Sequence, residues 1–335
     1  MKKLFAFILI AMQCLVVYST NRALLVGISK YPTNSGWCEL ASKNDIQLLK
    51  ESLSGTFTVS CLLDEDATFD GICKSLKALQ GNTTKGDTIF IHFSCHGQQV
   101  LPKGTTTEVD MLDEALIPYD AQSKFKKGVY EGNKHLVDDK LGAYIDAIRD
   151  KAGVNGLVIV ILDACHSDTM NKGNGRTTTD IYRGIDEIFA ENLTPQQKKE
   201  LRAKSCNADT TKIEKKGIAD VAYISACNSY QRNREIVVGG VNYGSLSFAI
   251  ANAIKDTGIS NFEGFVHNVF DIMSQQVPAQ TPVLRTSLDI SIDKRNVPTM
   301  PIGSQQENES SWYLYCVGIA LLFAIIIYFV WKKKK

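Results

Sequence analysis

Two apolar segments of the chain each end in side chains that carry out nucleophilic chemistry in enzymes. Segment 88–93 is followed by the motif S-C-H-G at 94–97, and segment 157–162 by D-A-C-H-S at 163–167. A cysteine thiolate is a strong nucleophile when a base lies beside it, and histidine titrates near neutral pH. The spacing therefore predicts a catalytic pair, with Cys165 as nucleophile and His96 as acid–base group.

Near-continuous apolar runs of this length are typical of strands buried on both faces of a parallel sheet. The carboxyl ends of such strands meet at one edge of the sheet, so His96 and Cys165 are expected to converge there. His166 is less suited to be the base, because adjacent residues leaving a strand point to opposite sides. His92 lies within its strand and is expected in the core or behind the site.

The chain between 20 and 292 alternates strands with helices. Its periodicity predicts strands at 23–28, 57–63, 88–93, 156–162 and 221–226 and helices at 42–53, 245–254 and 262–273, with two more beginning at Thr68 and Asp138. Ser42 is expected to cap its helix, with Asp45 three residues on. This order predicts an α/β fold, a doubly wound and mostly parallel sheet with helices on both faces. The polar composition of 169–217 predicts a long loop or a processed linker.

Both ends of the sequence are apolar. Two lysines followed by the apolar run 4–17 and Ser19 predict a signal peptide over 1–19. Segment 312–331 is uncharged, bracketed by tryptophans and closed by four lysines. These features predict one C-terminal transmembrane helix with a cytoplasmic tail at 332–335, joined to the folded part by a polar linker at 293–311. We expect a single-pass membrane protein whose body lies outside the cytoplasm, in the periplasm or at the cell surface if bacterial.

Charge and cysteine content narrow the function classes. The 335 residues include 37 Lys and Arg against 36 Asp and Glu, a net charge of +1 that argues against a general nucleic-acid binder. Of nine cysteines, Cys14 lies in the predicted signal peptide and Cys316 in the predicted membrane helix, which leaves seven. Their spacing contains no metal-binding pair and no disulfide framework, and an odd number leaves one thiol free in an oxidising compartment.

Together these motifs resemble the caspase–haemoglobinase superfamily of cysteine peptidases, and its metacaspase-like branch most closely. The histidine motif is similar to the family's S-G-H-G and the cysteine motif to its D-x-C-H-S. Further matches over about 22–290 are N-D at 44–45, D-E at 113–114, D-D at 138–139, the segment 231–235, Y-G-S at 243–245 and Q-T-P at 280–282. The resemblance implies a peptidase domain over 20–292, with a large-subunit-like part to about 170, a basic loop at 171–217 and a small-subunit-like part from 218.

The resemblance implies that the Cys165 thiolate attacks a peptide carbonyl and that His96 protonates the leaving amine. The backbone N–H groups of Gly97 and Cys165 would face the oxyanion. The chain departs from the family pattern at Cys95 and at Asp168, which replace glycines. These departures keep open the alternative of a catalytically inactive binding or scaffold module at the membrane.

Two carboxylates suggest which peptides the site would take. Asp163 lies two residues before Cys165 and so shares its face of the strand. Asp45 follows the first strand, and the resemblance brings it to the same pocket, which would favour Arg or Lys. The alternatives are that Asp163 is structural and that Asp45 only completes a capping box with Ser42. An asparagine-specific legumain-like enzyme is a poorer match.

A caspase-like preference for aspartate would instead require a basic pocket, for which Arg232 or Arg234 is available.

The expected chemistry requires no cofactor. We expect a peptide or protein as the binding partner, and the oligomeric state is left open.

The resemblance also makes calcium binding an expectation, with Asp120, Asp138 and Asp139 as the matching carboxylates. Helix capping by Asp138 is an equal alternative. A further family ligand is expected seven residues after the nucleophile, where this chain has Lys172. The basic loop offers self-cleavage sites, Arg176 among them.

Overall fold

A computed structural model describes residues 20–102, 112–165, 181–205, 213–214, 217–228 and 231–290. For residues 202–205 the structure describes the backbone only. The predicted signal peptide, linker, membrane helix and cytoplasmic tail lie outside the described residues, as do His166, Asp168, Lys172 and Arg176. None of the helices within the described ranges is long and apolar enough to cross a lipid bilayer.

The core of the molecule is a six-stranded sheet. Its strands are β1 (Arg22–Gly27), β2 (Thr58–Leu63), β3 (Thr88–Ser94), β7 (Leu157–Asp163), β8 (Asp220–Ser225) and β11 (Val283–Thr286). They lie in the order β11-β8-β7-β3-β1-β2, and all neighbours are parallel except β11 and β8. This arrangement confirms the predicted mostly parallel sheet.

Helices pack on both faces of the sheet because alternate strand residues point to opposite sides. One face buries Ala23, Leu25, Phe90, Ile159, Ile161 and Ile224 under helices Ser42–Leu53, Ser245–Asp256 and Phe262–Gln276. The other buries Leu24, Val26, Ile89, Ile91, Val158 and Val160 under helices Phe69–Asn82 and Asp138–Ala152. Both faces of β3 and β7 are therefore dry, as their apolar sequences predict.

Smaller elements border the carboxyl edge of the sheet. Strands β4 (Gly97–Val100), β5 (Asp113–Leu116) and β6 (Leu136–Val137) form an antiparallel sheet directly after β3. Strands β9 (Glu235–Val238) and β10 (Val241–Gly244) form a hairpin that leads into helix Ser245–Asp256. A short 3₁₀ turn, Asp64–Asp66, follows β2.

Two local predictions are corrected and one is confirmed. Ser42 is the first residue of its helix rather than the cap; the N-cap position is Ala41 and has no capping side-chain bond. Segment 169–217 is not a continuous loop, since it contains helix Pro195–Ser205. Thr68 caps its helix as predicted, because its hydroxyl accepts the backbone N–H of Gly71 at 3.1 Å.

Candidate active site

His96 lies just beyond the end of β3, fully buried between two aromatic rings. Its imidazole stacks on Trp37 at a centroid distance of 4.9 Å and packs against Tyr31 at 5.3 Å. Its backbone N–H donates to the Tyr31 hydroxyl oxygen at 3.1 Å, and that hydroxyl donates to the Ile117 carbonyl at 3.0 Å. These contacts hold the histidine ring in one orientation.

Hydrogen bonding of the His96 ring selects one neutral tautomer. Nε2 is 2.9 Å from the carbonyl oxygen of Cys38, which can only accept, so Nε2 carries the proton. Among the described residues the buried Nδ1 has no hydrogen-bond partner. Burial lowers the pKa of His96 to about 4, against the opposing effect of the bond to Cys38. His96 is therefore neutral at pH 7, with a lone pair on Nδ1 that is available to a proton.

Cys165 lies two residues beyond the end of β7 and is buried. Its Sγ donates to the carbonyl oxygen of Gln231 at 3.1 Å, and Sγ of Cys227 donates to the same oxygen at 3.4 Å. Contact with Cys165, followed by burial, raises the pKa of Cys227 well above its ordinary value. Cys227 therefore stays protonated and does not compete as a nucleophile at neutral pH.

The two backbone N–H groups expected at the oxyanion position converge on one atom. Gly97 N donates to the carbonyl oxygen of Arg183 at 3.1 Å, and Cys165 N donates to the same oxygen at 2.9 Å. The carboxyl ends of β3 and β7 thus meet as predicted. The carbonyl that they bind belongs to the polar segment that follows Cys165 in the sequence.

The side chain of Arg183 fills an acidic pocket beside Cys165. Its Nη2 bonds Asp45 Oδ2 at 2.7 Å and Glu235 Oε1 at 3.0 Å, and its Nη1 lies 3.7 Å from Asp163 Oδ2. Nη1 also donates to the hydroxyl of Ser94, the last residue of β3. The Arg183, Asp45 and Asp163 side chains are fully buried, and that of Glu235 is 3% exposed. The structure therefore brings Asp45 and Asp163 into one pocket, already occupied by a guanidinium group.

Hydrogen bonds from the small-subunit-like part orient Asp163. Asn233 Nδ2 donates to Oδ1 at 2.6 Å, and both the backbone N–H and the hydroxyl of Ser247 donate to Oδ2, at 2.8 and 2.6 Å. Because the Ser247 hydroxyl donates there, it accepts from His92 Nε2 at 2.9 Å. His92 lies behind the pocket, as predicted. Gln280 Nε2 donates to Asn233 Oδ1 at 3.2 Å and extends this network.

The two aspartates have opposite pKa shifts. Burial raises the pKa of Asp45 to about 6, because the nearby Asp163 charge adds to it and Arg183 offsets it only in part. Burial would also raise the pKa of Asp163, but Arg183 and the hydrogen bonds from Ser247 and Asn233 outweigh burial and keep it below its ordinary value. Asp163 is therefore a fixed negative charge, whereas Asp45 responds to pH.

Two residues that the sequence did not assign to the site belong to it. Arg183 lies in the polar segment, where no periodicity or motif marks it out. Glu235 lies in a segment that carries the family resemblance, but nothing in its spacing indicates a role in the pocket. Arg232, one candidate for a basic pocket, instead pairs with Asp186.

The cysteine that replaces glycine before His96 does not occupy the cleft. Cys95 is 1% exposed and packs in the apolar cluster on one face of the sheet, with Leu116, Leu136 and Ala164. Burial raises its pKa to about 12, so it stays a thiol. The family glycine is thus replaced by a core side chain that points away from the pocket.

The predicted calcium carboxylates are not assembled into a ligand set. Asp120 Oδ1 accepts the backbone N–H of Phe69 at 2.8 Å, and Oδ2 pairs with Lys134 at 3.4 Å. Asp138 and Asp139 are the first two residues of helix Asp138–Ala152. Over the described ranges, no group of three His, Cys, Asp or Glu side chains is arranged to hold a metal ion.

A buried histidine and cysteine at the ends of neighbouring central strands, beside an acidic pocket, are the arrangement that the caspase-like resemblance implies. The comparison with protein families agrees: residues 20–291 match the model of the caspase domain, peptidase family C14. The chain belongs to this family.

The chain is also similar to several metacaspases. It is 23% identical to Metacaspase-1A of Neurospora crassa over 82% of this chain and 64% of that protein. It is 28% identical to Metacaspase-3 of Trypanosoma cruzi over 46% and 42% of the two chains. It is 25% identical to Metacaspase-1 of Pyricularia oryzae over 83% and 74%. The chain thus spans less than two thirds of the length of the first two of these relatives.

A crystal structure of a Geobacter sulfurreducens protein matches 82% of this chain and 95% of its own, with a TM-score of 0.54 and 22% identity. At 22% sequence identity this match shows only that the two proteins share a fold.

Gly244 allows the backbone of β10 to approach the pocket, and this gives a stability prediction. A Cβ at Gly244 would overlap Asp163 Oδ2 and Arg183 Cζ. Gly244→Ala should therefore lower the free energy of unfolding by about 1–3 kcal/mol, measured by urea denaturation.

Gly142→Ala is the matched control, because a Cβ there meets nothing within 4 Å and Gly142 lies inside a helix. It should raise stability by about 0.5–1 kcal/mol. Equal effects of the two substitutions would contradict the packing described for Gly244.

Proposed function

We propose that the protein is an endopeptidase that cleaves after Arg, and more slowly after Lys, with Cys165 as nucleophile and His96 as acid–base group. The observation that carries the proposal is the binding of Arg183. Its guanidinium contacts three carboxylates, and its carbonyl oxygen accepts two backbone N–H groups beside the nucleophile. This is the geometry expected of the residue that precedes a bond to be cleaved.

The His96 tautomer suits general base catalysis. Since Nε2–H is fixed by the Cys38 carbonyl, Nδ1 is the atom that receives the thiol proton of Cys165. The thiol must first leave the carbonyl of Gln231. The thiolate then attacks the substrate carbonyl, and the Gly97 and Cys165 N–H groups stabilise the oxyanion. His96 next gives its proton to the leaving amine, and water activated by His96 hydrolyses the thioester.

The pocket also supports the choice of Arg over other side chains. The guanidinium uses both terminal nitrogens, one toward Asp45 and Glu235 and the other toward Ser94 and Asp163. A lysine ammonium is a single point charge and cannot reach both sets equally well. An acidic side chain would face three carboxylates, and a neutral asparagine would leave their charge unpaired.

The alternative is a catalytically inactive scaffold module. One observation favours it: the cleft is filled by a segment of the chain itself, while the nucleophilic thiol donates to a backbone carbonyl. Hydrolysis of peptides discriminates between the two functions.

The proposed function is tested by measuring the rate of hydrolysis of fluorogenic peptides that differ in the residue before the cleaved bond. The enzyme is incubated in the assay buffer before the peptide is added. Arg peptides should be cleaved faster than Lys peptides, and both much faster than Asp or Asn peptides. Cys165→Ala should abolish turnover, and His96→Ala should lower kcat by roughly 10²–10⁴-fold.

Cys61→Ala, at an exposed cysteine, is the control and should keep full activity. Full turnover by Cys165→Ala would refute the nucleophile assignment, and equal cleavage of Asp and Arg peptides would refute the acidic pocket.

The raised pKa of Asp45 predicts how substrate binding depends on pH. The value of about 6 applies with a guanidinium in place, and a cation favours the ionised form. In the empty pocket the pKa of Asp45 is therefore higher than with Arg bound, so as pH falls toward about 6 the free enzyme takes up a proton that Arg must displace. The KM for Arg peptides should therefore rise as pH falls, with a smaller change in kcat.

Asp45→Asn should raise KM throughout and remove most of this pH dependence. Asp163→Asn should also raise KM but keep the dependence, because the lowered pKa of Asp163 leaves it ionised. A KM that stays constant between about pH 5 and about pH 8 in the parent enzyme would contradict the assignment.

Calcium dependence belongs to the proposal as an expectation from the family resemblance. Desolvation and the charges of Glu114 and Asp113 raise the pKa of Asp138 to about 7. Over the described residues these carboxylates are not arranged as a metal site, so the expectation rests on the resemblance alone. Asp120 takes part in other contacts, and no catalytic step requires the ion.

Chelation tests this expectation. Activity on Arg peptides should fall when calcium is removed and return when calcium, but not magnesium, is added back. Asp138→Asn should weaken the response. Activity that neither a chelator nor added calcium changes would exclude a role for the ion.

The membrane anchor and the location outside the cytoplasm are also part of the proposal. They rest on the uncharged segment 312–331, its flanking tryptophans and the lysines that follow. An enzyme held in this way would act on substrates at the membrane surface.

A further inference from the structure

The imidazole of His96 lies against the face of the Trp37 indole. The two ring planes are 26° apart, and their centroids are separated by 4.9 Å. Tyr31 is the other aromatic neighbour, but its ring is tilted by 46°, and its hydroxyl is bonded to backbone groups. Trp37 therefore presents the electron-rich face of an aromatic ring to the proposed acid–base group.

Hydrogen bonds and a tight turn fix the position of the Trp37 indole. Its Nε1–H donates to the Ala121 carbonyl at 3.2 Å, and its backbone N–H donates to the Ser35 hydroxyl at 3.3 Å. Gly36 has a φ of +81°, and a Cβ there would overlap the Ser123 hydroxyl, so the turn before the indole requires glycine. Trp37 is only 9% exposed. The fold itself therefore sets the orientation of the ring.

A protonated His96 would have no carboxylate beside it within the described ranges. The only polar atoms that bond to its ring are the carbonyl oxygen and Sγ of Cys38, both on the Nε2 side, and Nδ1 has no partner there. Burial lowers the pKa of His96 to about 4 in spite of the Cys38 bond, and the Arg183 guanidinium lowers it further. The imidazolium that forms during the reaction is therefore costly. In a Ser-His-Asp triad a carboxylate offsets this cost.

We propose that Trp37 is a positioning residue for the reaction and that its indole face stabilises the imidazolium form of His96 where a triad enzyme uses a carboxylate. The inference rests on the proposed function and deepens it. A cation within about 6 Å of an indole centroid is attracted by the negative ring face, most strongly where water is excluded. The neighbouring Cys38 carbonyl selects the tautomer. Two consecutive residues of one loop thus supply together what the triad carboxylate supplies alone.

Trp37 takes up no proton and forms no bond in the proposed reaction. The proton moves from Cys165 Sγ to His96 Nδ1 as the thiolate attacks, and then from Nδ1 to the leaving nitrogen. The imidazolium exists between these two transfers, and the indole face stabilises it there. None of the contacts described for Trp37 is with a residue of the acidic pocket. Loss of the ring face should therefore lower kcat and leave KM for Arg peptides unchanged.

The pH dependence of kcat separates this effect from simple loss of folded protein. The titratable and charged groups that face His96 are the Tyr31 hydroxyl, the Cys38 thiol, the Arg183 guanidinium and its reaction partner Cys165. Burial raises the pKa of both Tyr31 and Cys38, so these two groups are neutral at pH 7 and below. The guanidinium stays positive throughout. The acid limb of the kcat profile therefore reports on His96.

Fluorinated tryptophan tests the proposal with little change in the shape of the ring. The chain has three tryptophans, and Trp312 and Trp331 lie outside the described residues. Replacing these two by Phe in the full-length chain confines the label to Trp37. Mono-, di- and trifluorinated indoles have a progressively less negative face. Over this series kcat for an Arg peptide should fall stepwise, by roughly threefold to thirtyfold in all, at constant KM.

Substitutions separate the ring face from apolar packing. Trp37→Leu keeps an apolar side chain without a ring, and its kcat should fall by roughly threefold to thirtyfold. Its acid limb should move to lower pH by roughly half to one unit, because the imidazolium loses stabilisation. The profile is measured at saturating Arg peptide, which keeps Asp45 paired. Trp37→Phe retains a smaller ring face and should recover part of both effects.

Phe57→Leu is the matched control. Phe57 is also 9% exposed and packs on an aromatic ring, that of Phe90, but it lies directly before β2, at the amino ends of the parallel strands. Its substitution should lower the free energy of unfolding and leave both kcat per competent molecule and the acid limb unchanged. An Arg-containing acyloxymethyl ketone titrates the competent molecules in each preparation, so misfolded protein does not count as lost kcat.

The outcomes distinguish this inference from the proposed function. If kcat stays constant over the fluorine series, or if it falls in Trp37→Leu while the acid limb stays in place, the inference fails and the proposed function stands. If the parent chain does not hydrolyse Arg peptides, both fail. The fluorine series decides the question alone if Trp37→Leu does not fold.

Discussion

One buried guanidinium, that of Arg183, faces the carboxylates of Asp45, Asp163 and Glu235, and the arrangement of the cleft depends on this interaction. An unpaired charge buried at such a site costs about several kcal/mol, so the pocket is stable only with a cation in it or with a proton on one of its acids. The pKa of Asp45 is raised because its ionised form is buried beside the charge of Asp163. The chemical character of the pocket follows from this constraint, because three carboxylates around one buried space are matched by a positive, planar group with several donors.

The position of the pocket follows from strand register. Ser94 at the end of β3 pairs with Asp163 at the end of β7. The Ser94 hydroxyl and the Asp163 carboxylate therefore belong to neighbouring residues at the carboxyl edge of the sheet. Beyond these residues the two strands no longer pair with each other. The backbone N–H groups of Gly97 and Cys165 instead both donate to the carbonyl oxygen of Arg183. The ends of two neighbouring parallel strands thus supply the Cys165 thiol, the two N–H donors and one wall of the pocket within a few residues of each other.

Much of this arrangement was predictable from the sequence, for identifiable reasons. The strands β3 and β7 are apolar along their length, which marks them as central, and their chemistry-bearing residues follow immediately. Asp163 was predictable from the alternation of a strand. The contribution of Asp45 depended on the family resemblance, because local sequence alone favoured a capping box with Ser42. The structure has no such bond, since Asp45 instead accepts from Ser94, Gly244 and Arg183.

The sequence by itself determined the sheet, the central position of two strands and the presence of a thiol and an imidazole at their ends. These properties depend on local periodicity and on the burial of apolar side chains, both of which are visible along the chain. Only the tertiary structure decided that Arg183 fills the pocket, that Glu235 completes it and that Cys95 points into the core. Those placements are set by hydrogen bonds and ion pairs between residues that are distant in sequence, 138 positions apart for Arg183 and Asp45. A long polar segment carries no periodic signal that would reveal which of its cations the buried carboxylates select.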